Sequence, residues 1–229
     1  MIAERPPMQL PHWARSSSVC ILLACGCGPD AAPGASPSVP LTHIQTANTG
    51  RAIAALEAAT SYRLNVATRD GRTTFRHDYV VVRPQSGWTL RVESSSGVLQ
   101  LIAIGNSAWI AETGQRFVSI PRRQADSRAA GYDVPGIMAS YTDAALSASL
   151  SLVGRERKNG VDVEHFRADA AALRRWRPGV LSTASLDVWI GSAGYLSALE
   201  AIGVKSADTD ARVDVHAVND PANIVRPPQ

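Results

Sequence analysis

The side chains able to do chemistry are few. Cys20, Cys25 and Cys27 are the three thiols of this 229-residue chain. Residues 28–229 therefore hold no thiol nucleophile, structural disulfide or cysteine-ligated metal. Beyond the leader the histidines are His43, His77, His165 and His216. No two stand at metal-ligand spacing and no HExxH occurs. The last three fall within expected strands, where a surface or cross-strand role is expected. Gly105-Asn106-Ser107-Ala108-Trp109 misses the GxSxG nucleophile elbow at its last position, and SxxK, GxGxxG and GxxxxGK[ST] are absent. Glu156, Asp162 and Glu164 lie on hairpin strands among arginines and read as solvated ladder pairs. A dispersed Ser/His/Asp triad is left open. The expectation is of no enzyme, no metal and no cofactor.

The cysteines lie in an N-terminal address. Arg5 and Arg15 precede the run Val19-Cys20-Ile21-Leu22-Leu23-Ala24, with Met8 an alternative start. A charged segment, an apolar segment and a small residue before the cut describe a secretory signal peptide, although an apolar run of about six residues is short for one. Leu22-Leu23-Ala24-Cys25 resembles the bacterial lipobox. In that motif a small residue precedes the cut and the thiol accepts a diacylglyceryl group. Residues 1–24 are thus expected to be a lipoprotein signal peptide and Cys25 the lipidated residue. Cys27, preceded by Gly26, is a second-choice acceptor, and plain secretion, a cytosolic N-terminal tail or a Cys25-Gly26-Cys27 metal or redox pair are the alternatives. Residues 26–40, dense in Gly, Pro, Ala and Ser, bury too little to order themselves and read as a tether. The tether runs over 25–43 and the folded domain over 44–229. No run of 18 apolar residues follows, so no transmembrane helix is expected.

Periodicity organises the domain. Ile53 and Leu56 with Ala52, Ala55 and Ala59 give one apolar helical face over residues 48–59. The period then changes to two. Strands are expected around 62–67, 75–83, 88–93, 98–104, 108–112 and 116–120, joined by tight turns such as Asp70-Gly71 and Gly105-Asn106. The continuous apolar run 98–104 predicts a strand covered on both faces. Residues 121–132 read as a polar, basic break. Asp133 and Pro135 start a helix over 134–146 with Ile137, Met138, Tyr141, Ala145 and Leu146 on one side. Strands resume at 149–157 and 161–168 about the Asn159-Gly160 turn. A short helix capped by Asp169 runs to Trp176, and strands follow at 186–190, 195–202 and 211–218. The class is α+β: about ten antiparallel strands and two or three helices, with no βαβ alternation. A sheet that wide must curl into an open or closed barrel or split into a sandwich. Helices on its concave side would leave an apolar cavity wherever they do not fill it.

Charge identifies no polyanion partner. The 23 basic and 20 acidic residues give a formal +3, and loss of the leader brings the balance closer to even. No basic face for nucleic acid is indicated. The densest basic cluster is Arg174-Arg175-Trp176-Arg177. It is the solvated end of a short helix or a contact for anionic headgroups. Arg122-Arg123 carries the same two readings.

Several segments together resemble the LolA-like superfamily, in particular its LppX/LprG-type lipoproteins. Leu101-Ile102-Ala103-Ile104-Gly105-Asn106-Ser107-Ala108-Trp109-Ile110 is similar to one family hairpin. Leu152-Val153-Gly154-Arg155-Glu156 with Asn159-Gly160-Val161 and His165-Phe166 is similar to another. Asp187-Val188-Trp189-Ile190 with Gly194-Tyr195-Leu196 and Leu199-Glu200, and the ending from Asn219 to Pro228, complete the set. The resemblance covers roughly residues 45–228 and implies an open half-barrel of about eleven strands with helices in its mouth, binding acyl chains of lipids or lipoproteins. It brings no catalytic residues. Three phenylalanines and Gly136 early in the second helix point to a smaller or differently shaped cavity. The cavity candidates are Leu101, Trp109, Ile137, Met138 and Tyr141, where sheet and helix faces must meet. The expected role is a membrane-anchored extracytoplasmic lipoprotein that binds or carries a hydrophobic ligand. The alternative is an envelope sensor or protein-interaction module on the same fold.

Overall fold

The computed structural model describes residues 47–130, 132, 138, 141, 144–204 and 209–229. The leader, Cys25, the tether, His43 and Ile137 lie outside the described residues. Thr46–Gln229 forms one compact unit. It holds every described strand and the described core, the contacts a domain needs to fold alone.

The chain opens with α1 (Thr49–Glu57), capped by Asn48, whose side-chain oxygen accepts the Arg51 amide at 2.8 Å. A meander follows: β1 (Ser61–Asp70), β2 (Thr73–Val82), β3 (Gly87–Ser94), β4 (Gly97–Ile104), β5 (Ser107–Glu112) and β6 (Val118–Pro121). Then come α2 (Arg122–Ala129) and α3 (Ala144–Ser149). A second meander contains β7 (Ser151–Lys158), β8 (Val161–Asp169), α4 (Ala170–Trp176), β9 (Ser185–Gly191), β10 (Leu196–Ile202) and β11 (Thr209–His216).

The eleven strands of the described residues form one antiparallel sheet in the order β6-β5-β4-β3-β2-β1-β11-β10-β9-β8-β7. β1 and β11 meet in the middle, while β6 and β7 are open edges. This is the open half-barrel class expected from the sequence. The chain from β6 to β7 has to travel from one edge to the other, and its helices lie on the face that the sheet buries. α2 packs on β4, β5 and β6, α4 packs on β8 and β9, α3 packs on α4, and α1 packs on β10.

Register explains why that face is apolar. Opposed residues align into rows because the side-chain period is two. Leu64, Tyr79, Leu90, Leu101 and Ile110 form one row. A second runs Phe166, Val188, Leu199, Val213, Val66, His77, Val92 and Leu99 across eight strands. Each is buried, and each fully buried Leu, Val or Phe contributes about 1.5–3 kcal/mol. One position of the second row is an imidazole.

Three expectations are corrected. β4 is not covered on both faces: Leu99, Leu101 and Ala103 are buried while Val98, Gln100, Ile102 and Ile104 are half-buried. The polar break contains α2, whose core contacts are Ala125 and Ala129. Two alanines four apart suffice to seat it, so it has no broad apolar stripe. The helix expected over 134–146 falls mostly outside the described residues. Its described end, α3, continues past Leu146 to Ser149, so β7 begins at Ser151.

The C-terminal tail fastens the outside of the sheet. Asn219 accepts the Thr60 amide at 2.8 Å. Buried Asn223 donates to the Ala217 carbonyl and the Ser61 hydroxyl, at 2.6 and 3.0 Å, and accepts from Arg63 Nε at 2.8 Å. Val225 then lies against Gly87, where a Cβ would come within 3.3 Å of the valine Cβ.

A candidate ligand pocket at one end of the half-barrel

A pocket of about 510 Å³ opens where β2 ends and β3 begins. Its inner wall is Tyr62, Tyr79, Val81 and Trp88, all on the concave face. The Tyr79 and Trp88 rings stand 6.1 Å apart at 44°. Glu57, at the end of α1, and Arg83, on a single 3-10 turn, lie at the rim with Ser86 and Arg122.

Arg122 organises this end. It is the first residue of α2, and its Nε donates to Asp126 at 2.8 Å. Its Nη1 donates to the carbonyls of Ser86 (3.0 Å) and Gly105, tying the β2–β3 and β4–β5 turns to the helix. The guanidinium stands 5.7 Å from the Trp88 ring centroid. The Trp88 indole N–H donates to Asp126 at 3.3 Å. Arg83 donates through Nε to the Ala59 carbonyl at 2.8 Å and holds the end of α1. The result is a half-open cleft with an aromatic and apolar inner wall and a polar, charged rim that makes up at least as much of its lining, within the size range of small-ligand sites.

Deeper on the same face, His77 is 2% exposed and neither ring nitrogen has a hydrogen-bond partner among the described residues. Burial pushes its pKa down to about 4 against a smaller opposing pull from Asp78. It is a neutral imidazole held in the core in cross-strand register with Val66 and Val92, so the surface role is corrected and the cross-strand one holds on the buried face. Burial raises the Tyr132 hydroxyl above its ordinary value, and does the same to Tyr141.

The outer face carries a separate cluster. His165 Nε2 lies 2.7 Å from Asp187 and Nδ1 3.5 Å from Glu156. Arg167 Nε donates to Asp187 at 2.7 Å, and the Trp189 indole donates to Glu156. Lys158 Nζ stands 4.1 Å from the Trp189 ring centroid. His165 has the cross-strand role expected from its register opposite Trp189. Arg155–Glu164 is a ladder pair at 2.9 Å. Among the described residues no cluster of metal-ligating side chains is present.

The residues singled out from sequence are dispersed. Leu101, Met138 and Tyr141 are buried in the core cluster. Trp109 is half-buried on the opposite face of the sheet, beside Ile102 and Ser119. Ile137 lies outside the described residues. None of the five lines the pocket. Arg83 is a rim residue the sequence did not indicate, and Arg122, read there as solvated or as a headgroup contact, is instead bonded within the fold to Asp126 and the Ser86 and Gly105 carbonyls.

No family model and no curated protein matches the chain. Among solved structures it is similar to lipoprotein LppX of Mycobacterium tuberculosis, at 14% identity and a TM-score of 0.46 over 76% of this chain and 94% of that one. It is also similar to LprF from Mycobacterium bovis, at 16% and 0.46 over 78% and 94%. A LolA superfamily protein from Nitrosomonas europaea matches at 12% and 0.25 over 72% and 91%. These are proteins of the kind that the sequence motifs resemble. The half-barrel assignment itself stands on the strand order and register above.

Proposed function

We propose that the chain is a membrane-anchored extracytoplasmic lipoprotein that binds or carries a hydrophobic ligand, such as the acyl chains of a lipid or lipoprotein, without catalysing a reaction. The observation that carries this is the pocket of about 510 Å³ with Tyr62, Tyr79, Val81 and Trp88 as its wall. Burying an acyl chain there is worth about 0.8 kcal/mol per methylene. Anchoring is supported by Leu22-Leu23-Ala24-Cys25. The test is mass spectrometry of the organic extract of the purified unit 46–229. Co-purifying lipid at near-stoichiometric level is expected, and a lipid-free extract together with no uptake of added fatty acid overturns the reading. Anchoring is tested separately: Cys25→Ala moves the protein out of the membrane fraction, and continued membrane association overturns it.

The second reading, a protein-interaction module, is favoured by the two open edges of the sheet. Val118 on β6 is 58% exposed, and Leu152 and Val153 on β7 are 50% and 55% exposed. A lipid-free protein whose Leu152→Lys/Val153→Lys variant loses an envelope partner would support this alternative.

A further inference from the structure

The opposite end of the half-barrel, where β8 and β10 finish, carries a basic and apolar patch that the pocket does not use. Arg174, Arg175 and Arg177 close α4 and are exposed. None of the three forms an ion pair or side-chain hydrogen bond among the described residues. Two of them lie in the last turn of the helix, where they complement its dipole. That does not account for what stands beside them. Arg177 accepts the Val180 amide through its carbonyl, so the chain turns back at once and presents Leu181. Leu181 is 36% exposed and lies against Gly203, next to Ile202, which is 42% exposed. Two large apolar side chains are thus exposed beside three guanidiniums that form no ion pair among the described residues, Arg177 acting electrostatically on the buried Tyr141 hydroxyl, while Trp176 packs against the core.

We propose that Arg174, Arg175, Arg177, Leu181 and Ile202 form a docking surface for an anionic lipid bilayer. Guanidiniums attract anionic headgroups, and exposed Leu and Ile side chains gain by entering the headgroup–acyl boundary. The course of the chain agrees. Ala47 and Asn48 lead directly into the N-terminal end of α1. That end is tied by Thr49 Oγ1 to the Tyr141 carbonyl at 2.8 Å and to Ser147 at 2.9 Å, on the segment that packs against α4. The lead back to Cys25 spans roughly 70 Å when fully extended. The orientation rests on the anchoring reading above, whereas bilayer affinity of the patch does not. Docked in this way, the domain turns its pocket, at the other end of the strands, away from the bilayer.

The experiment is vesicle co-sedimentation of the unanchored unit 46–229. Vesicles are of phosphatidylglycerol mixed with phosphatidylcholine, or of phosphatidylcholine alone. Binding to the anionic vesicles is expected, falling steeply as salt is raised, with little binding to neutral ones. Arg174→Gln/Arg175→Gln/Arg177→Gln lowers the partition coefficient about a hundredfold, at about 1 kcal/mol for each charge near the surface. Leu181→Ser/Ile202→Ser weakens binding while keeping its salt dependence. All five positions are exposed or half-exposed, and an unchanged melting temperature confirms that the variants fold. Equal binding to both vesicle types, no binding at low salt, or wild-type binding by the triple variant each overturn the proposal. The extract and fractionation tests fail independently of this one, because the unit carries neither Cys25 nor a change in the pocket.

Discussion

The imidazole of His77 meets the ring of Tyr132 edge-on, with centroids 4.7 Å apart and planes at 86°. The contact closes a core row that is otherwise aliphatic or aromatic on either side of His77. It satisfies the shape of the site but not the two ring nitrogens, which have no hydrogen-bond partner among the described residues. A polar group so placed costs stability, and the cost depends on pH.

The sign follows from the lowered pKa. In the folded state His77 protonates at about 4, in the unfolded chain near 6.5. Between those values the unfolded chain takes up a proton that the folded protein refuses, so stability falls as pH is lowered through this window. At pH 5 the loss relative to pH 7.5 is about 2 kcal/mol, and below pH 4 it levels off near 3 kcal/mol. Urea midpoints measured across the range should show it. His77→Leu should remove this component and raise stability at neutral pH by about 1 kcal/mol or more. Parallel losses in the two proteins would rule out a buried neutral imidazole.

Trp189 holds the β7–β8 hairpin on the outer face. It stacks on His165 with centroids 4.5 Å apart and planes at 16°, under the Lys158 ammonium. Beyond it, Asn159 at the hairpin turn donates to the Ser197 carbonyl at 3.0 Å. Trp189→Ala should cost about 3 kcal/mol and expose the hairpin to proteolysis. Trp189→Phe keeps the stack but loses the bond to Glu156, and should cost about 1 kcal/mol. Equal costs for the two would show that packing contributes nothing beyond the indole N–H.

Asn223 is the buried pin of the C-terminal tail. Its carboxamide bridges Ser61, Arg63 and the Ala217 carbonyl. Asn223→Ala should cost about 1–3 kcal/mol by leaving those groups unsatisfied. Limited proteolysis should then remove residues after 217 well below the global melting temperature. A tail still resistant in the variant would mean that Val225 and Asn219 hold it unaided.

Most of the sheet was legible because strand periodicity and two-residue turns act locally. The Asn159-Gly160 turn appears as read, with both residues at positive φ. The Gly105-Asn106 turn pairs Ile104 with Ser107, and thereby Ile102 with Trp109. That register already put Trp109 on the face opposite Leu101, although the run Ala108-Trp109-Ile110-Ala111 is apolar throughout and hides the alternation. α2 escaped because tertiary packing of Ala125 and Ala129 stabilises it, not its own pattern. The pocket could not be read from spacing. Its wall and rim come from α1, β1, β2, β3 and α2, and the Arg122 clamp depends on carbonyls 36 and 17 residues away.

That clamp yields the sharpest test of the pocket. Arg122 joins two turns to α2 while standing beside Trp88, so its removal should loosen the rim with the wall left in place. Arg122→Gln is expected to lower stability by about 1–2 kcal/mol, through loss of charge-assisted bonds to Asp126 and two carbonyls. Its effect on a fluorescent fatty acid should be chiefly faster release. Val81→Trp acts on the wall instead. It fills space between Tyr79 and Trp88, and should weaken uptake about tenfold or more at a packing cost of about 1–3 kcal/mol. Stopped-flow displacement separates the two, because a loosened rim raises the off-rate whereas a filled wall lowers capacity. Unaltered uptake and release in both variants, with each still folded, would remove the pocket from the binding site.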